Sequence, residues 1–491
     1  MKKTRIKKNF IYLLLYQALI SLLPFITSPY ISRVLGASKI GVYSYVFSVI
    51  TLFLLFANLG IANYGNRLIA KNRDNKETLN KEFSSLFYLH LILSLIVLLV
   101  YIGFIFLFEK ENIIIFIIQA VFMVANMLDI SWLFWGEEDF KSTTIRNAII
   151  KLITCIFIFV FVKKNNGLVT YTVIMSCGTL VSQLILWPFA FKYIKLIKVP
   201  TREVFKHFKK MLALFGAQLA VTLYSYMDKI MLGFMGAMAQ LGFYENAWKL
   251  IEFPVGFITA LGTVMLPKMA NLIANEDKKK VEKYIFKSIR FSMLASSAIA
   301  FGMMAIAKEF SVKFWGQEFV ESGYIIRIMA VCILLMSWNG VIRNQFLIPM
   351  EKDREYLRAV VLSAIVNLVM NIILIPKYGA RGAAIGTVLS YLTIFFVQNY
   401  YARKHLPLKK YFINTIPYII VGLFMYGFLM IIDSFIPLTI LGLFIKIFIG
   451  AIIFIIMLLL YTFFSKDTFV IDCLHDIINL LSKRKNENKE K

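Results

Sequence analysis

Histidine and cysteine are scarce: the 491-residue chain has four of each. His90, His207, His405 and His475 are scattered. Cys155, Cys177, Cys332 and Cys473 show no paired spacing and no histidine beside them. That excludes a disulfide framework and a cysteine/histidine metal centre. Acidic residues are also few, 28 against 54 Lys and Arg, for a formal net charge of +26. No Gly-rich phosphate-cradling signature occurs, so nothing points to a bound nucleotide as driver.

What the chain has in abundance is apolar surface. It is 59% hydrophobic with mean hydropathy +0.73, where soluble domains run near ~45–50% apolar. Apolar runs of about 20 residues recur along nearly its whole length, each long enough to cross a ~30 Å hydrocarbon core. A transmembrane barrel would show short alternating segments instead. The sequence therefore reads as an all-α polytopic membrane protein of about fourteen spans. On a soluble chain the positive charge would suggest nucleic acid. Here Lys and Arg crowd alternate loops, the positive-inside pattern, which excludes nucleic acid as partner and puts both termini in the cytoplasm. Lys2 to Lys8 is basic, but the run after it is long and has no small-residue cleavage site, so an uncleaved first span is expected. No loop assigned to the outside is long (the longest runs from Lys308 to Gly323), and none carries an Asp-x-Asp element or a histidine. A membrane glycan polymerase or ligase would need such a loop. The heavy use of Lys, Asn, Ile and Phe points to an AT-rich bacterial genome.

An internal repeat sets the organisation. Arg33-Val34-Leu35-Gly36 is echoed by Lys229-Ile230-Met231-Leu232-Gly233, and Ile40-Gly41-Val42-Tyr43 by Leu241-Gly242-Phe243-Tyr244. Asp129 precedes Glu137 and Asp139 as Arg343 precedes Glu351 and Asp353. The copies lie six spans apart, an even number, so the two halves are expected to be parallel lobes related by an axis along the membrane normal. Residues 1–200 would hold spans one to six, 201–408 spans seven to twelve, 409–465 two extra spans, and 466–491 a cytoplasmic tail.

Polar groups inside spans are costly, about 2.5–3.5 kcal/mol for a charge near a helix centre, and are candidates for function. Gln218, Thr222, Ser225 and Lys229 share one helical face in span seven, which lipid cannot satisfy. Asp228 and Lys229 either face a cavity or snorkel to the outer interface. Span one shows a similar stripe, Gln17 and Ser21 leading into Pro24, Ser28 and Ser32. Pro24 and Pro29 make either a moving hinge or a static kink. Glu245, Lys249 and Glu252 share a face of span eight, as a cavity-facing pair or as helix–helix glue. Asp129 and Arg343 occupy matching places, with Asn126 and Asn339 one turn before them. They form either an inner gate or two local contacts. Arg327 and Lys446 lie close enough to an interface to snorkel.

The stretch Ser28-Pro29-Tyr30-Ile31-Ser32-Arg33-Val34-Leu35-Gly36 resembles the first-span ending of the Wzx-type polysaccharide exporters. These belong to the multidrug/oligosaccharidyl-lipid/polysaccharide (MATE-like) superfamily. Asp228-Lys229-Ile230-Met231-Leu232-Gly233 looks like that group's seventh-span motif, and Lys377 to Ala384 like the Gly/Ala-rich opening of its twelfth span. The resemblance implies a MATE-like V of two six-helix lobes around a central cavity. It also implies a flippase for an undecaprenyl-type lipid-linked oligosaccharide, a capsular, teichoic-type or other surface-polysaccharide precursor. Such cargo carries a phosphate, so Arg33, Lys229 and Lys249 become the expected phosphate-facing set, with Arg67 and Lys151 for capture from the cytoplasmic side. The expected partners are this substrate, membrane lipids, and a polysaccharide polymerase with other assembly proteins, around a monomer. No cofactor is expected. Coupling to Na⁺ or H⁺ is open, and a cation-coupled drug exporter of the same superfamily is the alternative.

Overall fold

The computed structural model describes residues 2–467 and 469–471, so nearly all of the expected tail lies outside the described residues. These are helical throughout, with no strand among them. The first half holds α1 (Lys2–Asn58), α2 (Ile61–Asn72), α3 (Lys76–Phe108), α4 (Ile113–Met127) and α5 (Ser131–Gly136). It continues with α6 (Phe140–Phe161), α7 (Gly167–Leu184), α8 (Leu186–Ala190) and α9 (Thr201–Phe205). The second half holds α10 (Phe208–Met235), α11 (Met238–Ala274), α12 (Lys278–Trp315), α13 (Val320–Met329), α14 (Val331–Ile342) and α15 (Asp353–Ala402). Two more helices, α16 (Leu408–Ile431) and α17 (Ile440–Ser465), follow. Local chemistry fixes several starts: Asn75, Asp277 and Thr439 each accept a hydrogen bond from a backbone amide of the first turn they cap.

Among the described residues, nine helices are long and apolar enough to cross a membrane, or ten if the pair bent by 44° at residues 317–347 forms one span. Two of these segments are about 50 residues long. At ~1.5 Å per residue that is about 75 Å, more than two bilayer cores. The long helices are therefore folded, and glycine is where they fold. Gly36 (φ 75°) interrupts α1 and Gly379 (φ 53°) interrupts α15, at backbone angles that a side chain disfavours. Each interruption frees amides at the start of the next turn. Ala37 N donates to Glu318 Oε1 at 3.0 Å, and Ala380 N donates to Gln240 Oε1 at 3.1 Å. Pro24 and Pro29, the expected hinge, lie within a helix that runs through both without a break in φ/ψ; the break comes at Gly36.

The two halves of the chain meet at the Gly36 end. A Cβ on Gly41 would sit 1.7 Å from Met238 O, and one on Gly242 would sit 2.0 Å from Ala37 O. The repeated glycines thus pack reciprocally, each against the start of the other's helix. Glu318 on Ala37 N, Arg33 donating to Lys313 O (2.7 Å), and Trp315 donating to Ser28 Oγ (2.8 Å) surround this contact. The opposite end is tied differently. The segment joining the halves lies along α3: Lys195 N donates to Asn80 Oδ1, Ile197 N to Ser84 Oγ, and Lys206 pairs with Glu82 at 2.7 Å. His207, buried between Tyr64 and Ser85, ends it. Burial pushes its imidazole down to about 4, so it is neutral near pH 7.

The last two helices are pinned to α12. Lys446 pairs with Glu309 (3.3 Å) and Asp433, while Arg290 bonds Tyr418 and Asp467. Lys446 is 2% exposed. It does not snorkel: acidic partners on α12 and just after α16 hold it inside the helix packing.

The glycine contact leads to a direct expectation. Gly41→Leu and Gly242→Leu should each lower the thermal midpoint of the purified protein, an overpacking cost of about 1–3 kcal/mol. Gly103→Leu should not, since nothing lies within 4 Å of its Cβ position. Equal midpoints for all three would contradict the reciprocal packing.

Candidate functional site

Between α1, α4, α6, α7 and α11 lies a cavity of about 520 Å³. Helical spacing explains its wall. Pro24, Ser28 and Ser32 follow one another at four residues on α1, as Lys151 and Cys155 do on α6 and Glu245 and Lys249 on α11. Aromatic rings complete the wall: Tyr43 of α1 and Tyr171 of α7 meet edge to face at 4.8 Å. The wall is thus mostly apolar with a few converging polar groups, the usual composition of a small-molecule site.

Glu245 organises the charge. Its carboxylate is 8% exposed. Oε2 accepts from Lys229 Nζ at 2.8 Å and from Ser44 Oγ at 2.9 Å, and Oε1 meets Lys249 Nζ at 3.2 Å. Three elements of the chain, the α10 and α11 helices of one half and α1 of the other, converge on this group. Two ammonium groups meet this one carboxylate, and the Glu252 carboxylate, further along α11, lies close enough to act on both lysines. Lys229 lies behind Glu245, with its ammonium 5.4 Å from the Tyr226 ring. Lys249 is 41% exposed at its side chain and reaches the cavity. Across the cavity stands Lys151, which has no acidic partner within 4 Å among the described residues. The cavity wall therefore carries two ammonium groups, Lys151 on α6 and Lys249 on α11, beside the carboxylates of Asp129 and Glu245; the ammonium groups are the members of this set that can meet a phosphate.

Of the residues picked out from sequence, the cavity brings together Pro24, Asp129, Lys151, Glu245 and Lys249. Asp129 also reaches a second, smaller pocket, which Gln218 lines from α10. The remaining candidates sit elsewhere. Arg33 is exposed at the Gly36 end and spends its guanidinium on Lys313 O. Ser225 is exposed and bonds back to Val221 O, and Thr222 is half-buried outside the cavity wall. Glu252 and Arg67 are exposed and line neither pocket. The side chain of Gln17 lies outside the described residues. Asp129 accepts from Ser131 N (2.8 Å), and Arg343 donates to Asn344 Oδ1 (3.0 Å) with its guanidinium over Tyr356. In this conformation the matched pair has separate local partners.

Asp228 departs most from its expected place. It is 6% exposed and turned into the packing of α10, α11 and α15. Tyr244 OH (2.7 Å), Thr387 Oγ1 (2.8 Å) and Asn371 Nδ2 (2.6 Å) all donate to it. The stripe through Lys229 and the Asp228 side chain, about 100° apart on the helix, separate into cavity-side charge and core-side charge. Sequence reasoning missed Asn371 and Thr387. The signal was present as Asn367 and Asn371, two amides at a spacing of four inside an apolar run. It also missed Ser44, Asn246 and Glu318, side chains whose partners lie on distant helices.

Comparisons with known proteins fit this geometry. The model of a family described as polysaccharide biosynthesis protein matches residues 6–273, more than half of the chain. A putative O-antigen transporter of Shigella dysenteriae is 26% identical over 391 residues, covering 79% of this chain and 98% of that protein. Among solved structures, the lipid II flippase MurJ in an inward closed conformation superposes with a TM-score of 0.77 at 14% identity, covering 94% of this chain and 99% of that one. An inward-facing multidrug transporter of the MATE family superposes with a TM-score of 0.64 at 16% identity, covering 79% and 94%.

The Glu245 cluster makes a stability prediction. Glu245→Gln leaves Lys229 charged and enclosed, so it should cost about 3–5 kcal/mol in thermal unfolding. Adding Lys229→Met should recover most of that loss. Lys249→Gln, at the exposed side of the cluster, should cost less than about 1 kcal/mol. Equal losses for Glu245→Gln with and without Lys229→Met would remove the cluster as a structural unit.

Proposed function

Because the chain belongs to the polysaccharide biosynthesis protein family, we propose that it is a flippase for a lipid-linked oligosaccharide. The substrate class is an undecaprenyl-type lipid carrying a capsular, teichoic-type or other cell-surface polysaccharide precursor. It passes from the inner to the outer leaflet of the bacterial cytoplasmic membrane by alternating access. The observation that carries this reading is the cavity with Lys151 unpaired on one wall and Lys249 on the other. A phosphate head group cannot cross hydrocarbon unaided. Two ammonium groups on facing helices hold it, the hydroxyls and tyrosines of the wall contact sugar, and the lipid tail stays in the bilayer. No bond of the substrate is made or broken.

The layout supports fourteen crossings: the two folded long segments count twice, and α10 and α11 cross as well. It also supports two six-helix lobes, with α16 and α17 attached to the second. Both termini lie in the cytoplasm, so the Gly36 end faces outward. The reciprocal glycine contact then marks a state shut to the outside. Asp129 and Arg343 pair only when the inner side shuts. Arg33 serves the outer rim, Arg67 the cytoplasmic approach. The flippase acts as a monomer that hands its product to a polymerase.

The Asp228 cluster fits a coupling cation, H⁺ or Na⁺. The carboxylate is buried with neutral partners only, and Asn371 Oδ1 beside it is buried without a hydrogen-bond partner. Asp228, Asn371 and Thr387 would hold the cation, whose charge would offset that of the carboxylate. A drug exporter of the same superfamily is the competing reading, and resistance assays separate the two.

The test is genetic. Cells carrying Lys151→Gln with Lys249→Gln should accumulate lipid-linked precursor and lose surface polysaccharide at normal membrane levels of the protein, while Lys→Arg at both positions keeps export. Asp228→Asn should lower export and remove its response to sodium or proton gradients. Full export by the double Gln variant would overturn the phosphate role of the lysines.

A further inference from the structure

At the end opposite Gly36, two helix breaks meet. The first lies between α1 and α2, where Leu59 (φ 41°) and Gly60 (φ 83°) both take left-handed angles. The second lies between α4 and α5, at residues 128–130. Irregular backbone in a membrane protein persists where it is packed in protein or lines a polar cavity, and here it lines one. A pocket of about 110 Å³ sits at the junction, with Asn58, Asp129, Ser131, Trp135 and Gln218 on its wall. It lies about 30 Å along α1 from Ala37, at ~1.5 Å per residue, which puts it at the end opposite the glycine contact, the cytoplasmic mouth in the proposed orientation.

The chemistry of this wall is unlike that of the larger cavity. It holds no cation. Trp135 is 38% exposed, a large ring on the surface of the pocket. The Asn58 and Gln218 side-chain amides make no hydrogen bond among the described residues. Asp129 uses Oδ1 on Ser131 N, which leaves Oδ2 open. Trp132 holds that turn in place by donating from Nε1 to Asp129 O at 3.2 Å. An aromatic face beside two free amides and a carboxylate oxygen matches one ligand chemistry well. A pyranose ring lays its C–H face on the indole and satisfies the amides and the carboxylate with its hydroxyls. A phosphate is disfavoured because Asp129 has no cation beside it on this wall, unlike on the wall of the larger cavity, and an acyl chain by three polar groups left unpaired.

We infer that this pocket is a sugar subsite for the ring nearest the lipid phosphate, distinct from the phosphate-binding lysines and joined to them through Asp129, which lines both pockets. Gln218 comes from α10 and the other groups from the first half of the chain. The subsite is thus complete only while α10 lies against the α1–α2 junction, and it comes apart when the halves separate there. The head group is read at the mouth and released as the mouth changes shape. This inference rests on the flippase reading.

Binding to the purified full-length protein in nanodiscs tests it, with two probes: undecaprenyl pyrophosphate, and undecaprenyl pyrophosphate bearing one N-acetylhexosamine. The wild type should bind the glycosylated lipid at least ten times more tightly. Trp135→Leu and Gln218→Leu should lose that preference while keeping affinity for undecaprenyl pyrophosphate and an unchanged thermal midpoint. Trp135→Tyr, which keeps a ring, should keep the preference. Lys151→Gln should weaken both lipids alike. Equal wild-type affinity for the two probes, or a preference that survives both Leu variants, overturns the subsite. Binding of neither probe overturns the flippase reading, and the subsite with it.

Discussion

One buried carboxylate holds the centre of this molecule together. Ionised groups removed from water are costly unless paired and hydrogen-bonded. Glu245 meets that condition by taking Lys229 from α10, Lys249 from its own helix and Ser44 from α1. The arrangement does two things at once. It fixes three helices at the level of the cavity, and it brings the Lys249 ammonium to the cavity wall. A neutral core would give the first without the second. Lys249 and Lys151 thereby line one cavity, between otherwise mostly apolar walls.

The backbone around that centre is shaped by glycine more than by proline. Gly36 and Gly379 let two very long apolar segments fold back, and side chains from distant elements satisfy the amides this frees. Gly41 and Gly242 bring two helix starts within the reach of a missing Cβ. That contact is sharply sensitive to side-chain volume and makes no bond of its own. Its firmness rests on packing alone. From this end to the other, the molecule presents the glycine contact, a cavity with charged groups, and a small pocket with an aromatic ring and two amides.

Much of this was legible in the sequence, for physical reasons. Long apolar runs force helices, and the recurrence of Ile40-Gly41-Val42-Tyr43 as Leu241-Gly242-Phe243-Tyr244 marked the two places that the fold brings into contact. Glu245 and Lys249 were legible because an i,i+4 pair needs only its own helix. Lys151 was named for capture from the cytoplasmic side, and it lines the cavity. What was not legible depended on rotation about a helix axis or on a partner far along the chain. Asp228 follows the same motif as Lys229 yet points the other way, into Asn371 and Thr387. Lys446 reads as interfacial until α12 supplies Glu309. Pro24 and Pro29 read as a moving hinge or a static kink, and the helix runs through both without a break in φ/ψ, which comes at Gly36. Arg33 kept its place at the end of span one but turned its charge to a backbone carbonyl.

The central claim is that this cavity carries a lipid-linked sugar across a bilayer without altering it. The most direct measurement uses purified protein in sealed liposomes that hold a fluorescent undecaprenyl-pyrophosphate glycan in both leaflets. An impermeant quencher is added outside, and the extracted lipid is then weighed by mass spectrometry. The account predicts that the quenched fraction rises well beyond the outer-leaflet share as the protein exchanges lipid between leaflets, with the lipid mass unchanged. Quenching that stops at the outer-leaflet share, or a lipid of altered mass, would contradict it.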